Sequence, residues 1–164
     1  MIRNINDLQK TLDSYIEKAL KLTEDKIFEV VSQKVIEYYN EPVFDNPDDP
    51  TTPVYYNRTG KMLEELTASH ISKQGNDYSF TVGWDNEYLN FSYKKGFITA
   101  YYGNSHNGIT GLQVLQAMNN ETHGYTVEGT HSFWNEAIDE INNKYGNITN
   151  LFKRNCKMVG LPIN

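Results

Sequence analysis

Residues 7–39 read DLQKTLDSYIEKALKLTEDKIFEVVSQKVIEYY, and this stretch predicts one long helix. Apolar residues recur there at spacings of three and four, which is the pattern of one helix face. The stripe consists of Leu8, Leu12, Tyr15, Ala19 and Leu22, and after a slip it resumes at Ile27, Val30, Val31 and Val35. Asn6 and Gln9 are spaced to form a capping box at its start, and no Gly or Pro interrupts it. A helix of this length must lie across a sheet, pack on a neighbouring subunit, or do both.

The segment 40–53 follows the helix and contains four prolines, which exclude a regular helix or a central strand. Its acidic residues indicate exposure to solvent. Two interpretations stay open for this Pro-rich loop. It is either a plain connector or an extended arm that becomes ordered on a partner.

A β region comes next, where 66–72 and 77–84 flank a predicted hairpin turn at 73–76. Tyr78, Phe80, Val82 and Trp84 alternate with polar residues and therefore share one face. Leu89, Phe91 and Tyr93 alternate again, and 97–102 is a further candidate strand. The sequence predicts a small antiparallel sheet whose apolar face is covered by the long helix.

Helical patterns return in the C-terminal third of the chain. Thr110 is placed to cap a short helix carrying Leu112, Leu115 and Met118. Ser132 is placed to cap another helix, which either stops near Gly146 or continues to Gly160 and Pro162. The apolar residues of that helix are Phe133, Ala137, Ile138, Ile141, Leu151, Phe152 and Cys156. We therefore predict an α+β fold in a single domain spanning 1–164.

The composition excludes several classes of protein. There are 21 acidic and 15 basic residues, the net charge is −6, and no dense cluster of Lys and Arg occurs. Direct nucleic-acid binding is therefore not expected. The single cysteine cannot form an internal disulfide, and no apolar stretch predicts a signal peptide or a membrane span. We expect the protein to be made and kept in the cytoplasm until it is used.

Candidate catalytic and metal-binding residues form no known motif. His70 and His106 are scattered, and the spacing of His123, Glu128 and His131 matches no metal-binding pattern. Nucleophile motifs and phosphate-binding glycine patterns are absent from the sequence. We expect no enzymatic activity, no cofactor and no metal. Two alternatives are a carbohydrate- or protein-binding module built on Trp84, Tyr88, Tyr101 and Tyr102, and a hydrolase that uses His123, Glu128 or Asp85.

The segment 53–63, PVYYNRTGKML, is the most distinctive motif of the chain. Thr59 is placed to cap a helix that starts at Gly60. Arg58 offers a planar donor fork for a carboxylate or carbonyl groups, within the fold or across a subunit interface. Tyr55 and Tyr56 face opposite ways if the segment is extended. We predict Tyr55, Tyr56, Arg58 and Thr59 as interface residues, with a purely local role of Arg58 and Thr59 in the turn as the alternative.

This motif resembles the Pro-x-x-Tyr-x-Arg-Thr-Gly-x-Leu signature of a family of minor tail or neck proteins of long-tailed bacteriophages. In that family a long N-terminal helix precedes the signature, and a short helix and antiparallel strands follow it. The second half, from Gly111-Leu112 to Phe133-Trp134, is also similar to variants from phages of Gram-positive hosts. The chain departs from the family at 125–130, which lacks the spacer of the strand that many members carry.

The resemblance implies a structural virion protein that joins head to tail or completes the tail. It implies a homo-oligomeric ring at the phage neck and no cofactor. The expected partners are an adaptor, a terminator or the tail tube, and the expected location is the virion, with the host cytoplasm before assembly.

Overall fold

A computed structural model describes residues 4–40, 60–84, 115–116, 119 and 132–163. The elements in chain order are α1 (Ile5–Asn40), α2 (Lys61–Glu64), β1 (Leu66–Ala68), β2 (Ser72–Gln74), β3 (Asp77–Ser79), β4 (Val82–Trp84), α3 (Phe133–Tyr145) and α4 (Ile148–Met158). A long N-terminal helix, a small antiparallel β region and C-terminal helices make this an α+β protein, as predicted. The predicted elements at 89–102 lie outside the described residues.

Helix α1 is 36 residues long and confirms the long helix expected from the apolar stripe. It begins earlier than predicted, because the side-chain oxygen of Asn4 accepts a hydrogen bond from the Asp7 backbone amide at 2.9 Å. Asn4 therefore occupies the capping position, and the prediction that Asn6 caps the helix was wrong. Asn6 lies inside the first turn.

The four strands form two antiparallel pairs, β1 with β4 and β2 with β3. The turn is shorter than predicted: only Gly75 and Asn76 close the hairpin, since Lys73 pairs with Tyr78 and Gln74 with Asp77. Tyr78 is half-buried along with Phe80, Val82 and Trp84, whereas Asp77, Ser79 and Thr81 are exposed, which confirms the predicted alternation.

The predicted strand at 66–72 is interrupted between β1 and β2. The backbone amide of Ser69 donates to the Thr81 carbonyl at 2.8 Å, and the Thr81 amide donates to the Ser69 hydroxyl at 2.7 Å. A side-chain oxygen here replaces the backbone acceptor that a continuous ladder would use. The strand pairing therefore breaks at Ser69 and resumes at Ser72.

The C-terminal helical region is two helices, which settles the two alternatives for its end near Gly146. Gly146 has a φ of +84°, and a Cβ at this position would lie 2.9 Å from Nδ2 of Asn150. Glycine is favoured there because other residues rarely adopt this conformation. Asn147 then caps α4 by accepting from the Asn150 amide at 2.8 Å. The helix ends before Gly160, as predicted, where the Leu161 amide donates to the Cys156 carbonyl at 2.8 Å.

Helix α3 follows Ser132, whose carbonyl accepts from the Glu136 amide at 2.8 Å. The Ser132 hydroxyl was predicted to cap this helix, but the side chain that bonds to the amides of the first turn is that of Asn119. Asn119 Oδ1 accepts from the amides of Trp134 and Asn135 at 3.0 and 3.3 Å. A residue distant in sequence therefore satisfies amides that have no partner within the helix. Thr110, the predicted cap of the preceding short helix, lies outside the described residues.

The contacts of the chain divide into two compact units. Unit 1 consists of Met1–Val30, Ala68–Val82 and Ala137–Asn164, and unit 2 consists of Val31–Thr67 and Gly83–Glu136. Each unit has buried apolar residues of its own, and the division falls inside α1 rather than at the Pro-rich loop. The assignment of 1–164 to one domain stays a prediction.

Candidate functional site

The four predicted interface residues, Tyr55, Tyr56, Arg58 and Thr59, lie outside the described residues. The described chain resumes at Gly60, immediately after Thr59. The rest of the signature, from Gly60 to Leu63, is described, and its contacts show how this part of the motif is held. The described part of the candidate site therefore begins at Gly60.

Gly60 adopts a φ of +80°, a left-handed conformation that side chains other than glycine rarely take. Its carbonyl accepts from the amides of Leu63 at 3.0 Å and Glu64 at 3.1 Å, and these bonds close the single turn of α2. The glycine of the signature thus has a backbone role that was not predicted from the sequence. The helix was predicted to start at Gly60, but it starts at Lys61, because Gly60 itself is not helical and occupies the capping position.

The backbone of Met62 is held on both sides by aromatic side chains. Its amide donates to the Tyr39 hydroxyl at 3.2 Å, and its carbonyl accepts from Nε1 of Trp84 at 2.6 Å. The Met62 side chain is buried. We call Tyr39, Met62 and Trp84 the signature anchor. It links the end of α1, the signature and strand β4 within unit 2.

Aromatic packing surrounds the signature anchor. Trp84 lies edge-on to Phe133, with ring centroids 5.5 Å apart, and to Trp134 at 6.1 Å. One buried apolar cluster of this unit consists of Val35, Tyr38, Met62, Leu115 and Phe133, with Tyr39, Leu63, Trp84 and Trp134 packed against it. Ring pairs in these geometries are each worth about 0.5–1.5 kcal/mol beyond the area they bury. The signature is therefore attached to the most aromatic part of the described structure.

A second, polar contact joins the β2–β3 hairpin to α1 within unit 1. Asp13 accepts hydrogen bonds from Lys73 Nζ and, at 2.6 Å, from the Tyr78 hydroxyl. Lys73 Nζ also lies 5.1 Å from the centroid of the Tyr78 ring. We call Asp13, Lys73 and Tyr78 the hairpin tie. This polar contact is not the predicted packing of the long helix on the apolar face of the sheet, which stays a prediction.

The hairpin tie shifts the titration of its three members. The Lys73 ammonium and then the Tyr78 hydroxyl hold the pKa of the Asp13 carboxyl below its usual value. The hydrogen bond to Asp13 raises the pKa of Lys73. Burial, followed by the hydrogen bond to Asp13, raises the pKa of Tyr78. These shifts are those of a structural ion pair, in which the carboxylate and the ammonium stay charged at neutral pH.

The carbohydrate and hydrolase alternatives gain no support from the described residues. Trp84, the aromatic residue proposed as a sugar platform, uses its indole N–H on Met62 and packs against Phe133 and Trp134. The other residues of both alternatives, Tyr88, Tyr101, Tyr102, Asp85, His123 and Glu128, lie outside the described residues. Within the described ranges, no group of three His, Cys, Asp or Glu side chains is arranged to hold a metal ion.

Two features of the structure were not predicted from the sequence. Tyr39 was only the last residue of a helix, and Trp84 was one of four residues on a strand face. Both side chains form hydrogen bonds with backbone atoms of Met62. No pattern of residue types indicates a hydrogen bond to a backbone atom. A third feature, the cationic face of α4, had a detectable signal, since Asn150, Lys153, Arg154 and Lys157 recur at spacings of three and four.

Comparison with protein-family models, curated proteins and solved structures finds no match for this chain. In the part of the chain that the structure describes, no helix is both long and apolar enough to cross a membrane.

Proposed function

We propose that this protein is a structural, non-enzymatic subunit of a long-tailed phage particle, located at the neck. It joins the head to the tail or completes the tail through contacts with other proteins, and it works as a ring of identical subunits. Its partners are an adaptor, a terminator or the tail tube. The protein resides in the virion and, before assembly, in the host cytoplasm.

The observation that carries the proposal is the signature anchor. Residues that make a specific protein interface need rigid support, because an interface that must first be ordered loses affinity to that ordering. Two hydrogen bonds hold Met62 three residues after Thr59, and its side chain is buried. The described end of the signature, from Gly60 to Leu63, is therefore attached to the core of unit 2.

The order of the elements also supports the proposal. The resemblance implies a long N-terminal helix, then the signature, then a short helix and antiparallel strands. The described chain has α1, then α2, which begins at Lys61 within the end of the signature, then the strands β1–β4. A chain that shared only the short motif by chance would have no reason to repeat this order.

The first experiment is electron microscopy of lysates from a phage or induced prophage that lacks this gene. We expect filled heads and finished tails that lie separate from one another. Normal tailed and infectious particles from the deletion strain would overturn the proposal. Supply of the wild-type gene in trans should restore joined particles, which excludes an effect of the deletion on neighbouring genes.

A point variant tests the predicted interface role of Arg58. We expect Arg58→Ala to give folded protein that fails to complete particles, while Lys10→Ala, at an exposed position of α1, supports normal titres. Arg58→Lys keeps the charge but lacks the planar donor fork, so we expect it to restore little activity. Normal infectious particles from Arg58→Ala would count against an interface role for this residue.

A further inference from the structure

The outer face of α4 is a cationic surface on an acidic protein. Asn150, Lys153, Arg154, Lys157 and Met158 line an open groove along this face. The helix Ile148–Met158 contains three basic and no acidic residues, whereas the whole chain has a net charge of −6. We call this surface the α4 face. An isolated positive surface of this kind favours an acidic partner.

The fold holds α4 firmly on its opposite side. Leu151, Asn155 and Cys156 are buried, and Asn155 Nδ2 donates to the Thr23 hydroxyl at 3.0 Å. The Thr23 hydroxyl in turn donates to the Ala19 carbonyl at 2.8 Å, so a buried polar contact joins α4 to α1 within unit 1. Both ends of α4 are also capped, by the Asn147 side chain at the start and by the Val159 backbone amide at the end.

Three of the five lysines of α1 differ in their pairing from Arg154 and Lys157 of the α4 face. Lys21, Lys26 and Lys34 each form ion pairs with carboxylates on their own helix. Arg154 instead lies over the Tyr145 ring at 5.5 Å, and among the described residues neither Arg154 nor Lys157 pairs with a carboxylate. These two charges are therefore available to a partner without breaking an existing ion pair.

The chain itself contains an acidic segment that complements the α4 face. Residues 41–49 read EPVFDNPDD and carry four carboxylates, and no Lys or Arg occurs between 40 and 57. The segment also contains Val43 and Phe44, apolar residues that suit the exposed Met158 of the α4 face, whose exposure is 67%. The residue types of segment 41–49 therefore complement the α4 face both in charge and in apolar character.

We propose that the α4 face of one subunit binds the acidic segment 41–49 of a second copy of this chain. One surface then meets a different surface of the next copy, and such heterologous contacts close into a ring when the rotation allows it. This inference rests on the proposed function, which requires a ring, and it names the two surfaces that form the contact. It assigns the acidic segment the role of an arm rather than that of a connector.

The test exchanges charges between the two surfaces in the full-length protein. The α4 variant carries Arg154→Glu and Lys157→Glu, and the segment variant carries Asp48→Lys and Asp49→Lys. Self-association is measured by sedimentation velocity in salt from about 50 to about 500 mM, because salt screens exposed charges. We expect wild-type association to weaken as salt rises, and each variant alone to associate about tenfold more weakly at low salt.

Mixing the two variants distinguishes a contact between copies from one within a copy. The mixture should regain association, because the intact α4 face of the segment variant meets the intact acidic segment of the α4 variant. A protein with all four substitutions should also associate with itself. If the protein with all four substitutions regains association but the mixture of the two variants does not, the contact lies within one copy. That result would overturn the proposal.

A matched control removes net charge as an explanation. Lys10→Glu with Lys18→Glu changes the same number of exposed cations on α1 and should leave association as in the wild type. Circular dichroism confirms that each variant is folded, and Arg154→Gln with Lys157→Gln replaces the α4 variant if it is not. Equal losses in the control and the α4 variant would overturn the proposal.

The outcomes separate this inference from the proposed function. Wild-type protein that stays monomeric at low salt overturns the inference, even if the deletion strain still yields separate heads and tails. Salt-dependent association that follows the charge exchange, together with normal particles from the deletion strain, supports the α4 contact but overturns the neck role. If the α4 variant associates like the wild type, the inference is overturned, and a different acidic partner becomes the candidate for the α4 face.

Discussion

The signature anchor and the hairpin tie attach two parts of the chain to α1 by opposite means. The anchor joins a buried methionine to two aromatic side chains through its backbone, and ring packing surrounds it. The hairpin tie joins charged and hydroxyl groups at the surface, where water competes for each of them. Buried contacts lose more free energy when one partner is removed, since the remaining group stays desolvated. The anchor should therefore govern stability, and the tie should govern pH dependence.

The largest effect should come from Trp84→Ala, which removes the ring packed against Phe133 and Trp134 and the hydrogen bond to Met62. We expect a loss of about 3 kcal/mol in the free energy of unfolding, measured by urea denaturation. Trp84→Phe keeps much of the packing and should lose about 1–2 kcal/mol. A loss below about 1 kcal/mol in Trp84→Ala would mean that the anchor does not govern stability.

A second effect tests the buried polar contact between α4 and α1. Thr23→Val leaves the buried Asn155 amide group without its recorded acceptor, and we expect a loss of about 1–3 kcal/mol. Thr23→Val with Asn155→Leu removes both partners, so the double variant should lose less than the sum of the single changes. Strict additivity in this urea-denaturation cycle would show that the two side chains are not coupled.

A smaller effect should follow from Tyr39→Phe, which deletes only the hydroxyl that accepts from the Met62 amide. We expect a loss of about 0.5–1.5 kcal/mol in the free energy of unfolding. Tyr15→Phe, elsewhere on α1, is the matched control and should change stability less. If the two variants lose the same amount, the hydroxyl of Tyr39 adds nothing specific to the anchor.

The smallest effect concerns the hairpin tie and depends on pH. Because the folded-state pKa of Asp13 is lowered, its contribution is fully present above the unfolded-state pKa, about 3.9. It is lost as the pH falls through the lower folded-state pKa. We therefore expect the urea midpoint of Asp13→Asn to lie below that of the wild type at neutral pH and to approach it in acid. A constant gap between pH 2 and pH 7 would contradict the assignment.

The long helix and the alternating face of the hairpin were predictable because each depends on residues close in sequence. Spacing of apolar residues indicates a helix, and alternation indicates a strand, whatever the rest of the chain does. Capping was predicted less well. Asn4 and Asn6 are equally suitable by residue type, and only the backbone path of α1 places Asn4 before the first turn.

The candidate site was predictable only in part. The signature itself is visible in the sequence, and local capping predicted the start of α2 to within one residue, at Gly60 instead of Lys61. Its attachment to Tyr39 and Trp84 spans 23 and 22 residues of sequence. The acceptor and donor on Met62 are backbone atoms, which every residue carries. The residue type at Met62 therefore carries no information about those two hydrogen bonds.

What the sequence alone determined is the set of local elements, because apolar spacing, Pro and Gly positions and charge act over a few residues. It also determined the charge contrast between segment 41–49 and α4. Only the tertiary structure decided which side chains meet: Trp84 with Met62, Asp13 with Lys73, and Asn155 with Thr23. The physical reason is that a hydrogen bond between residues distant in sequence forms only where packing brings them together. The chain contains many chemically equivalent donors and acceptors, so residue type alone does not determine which of them pair.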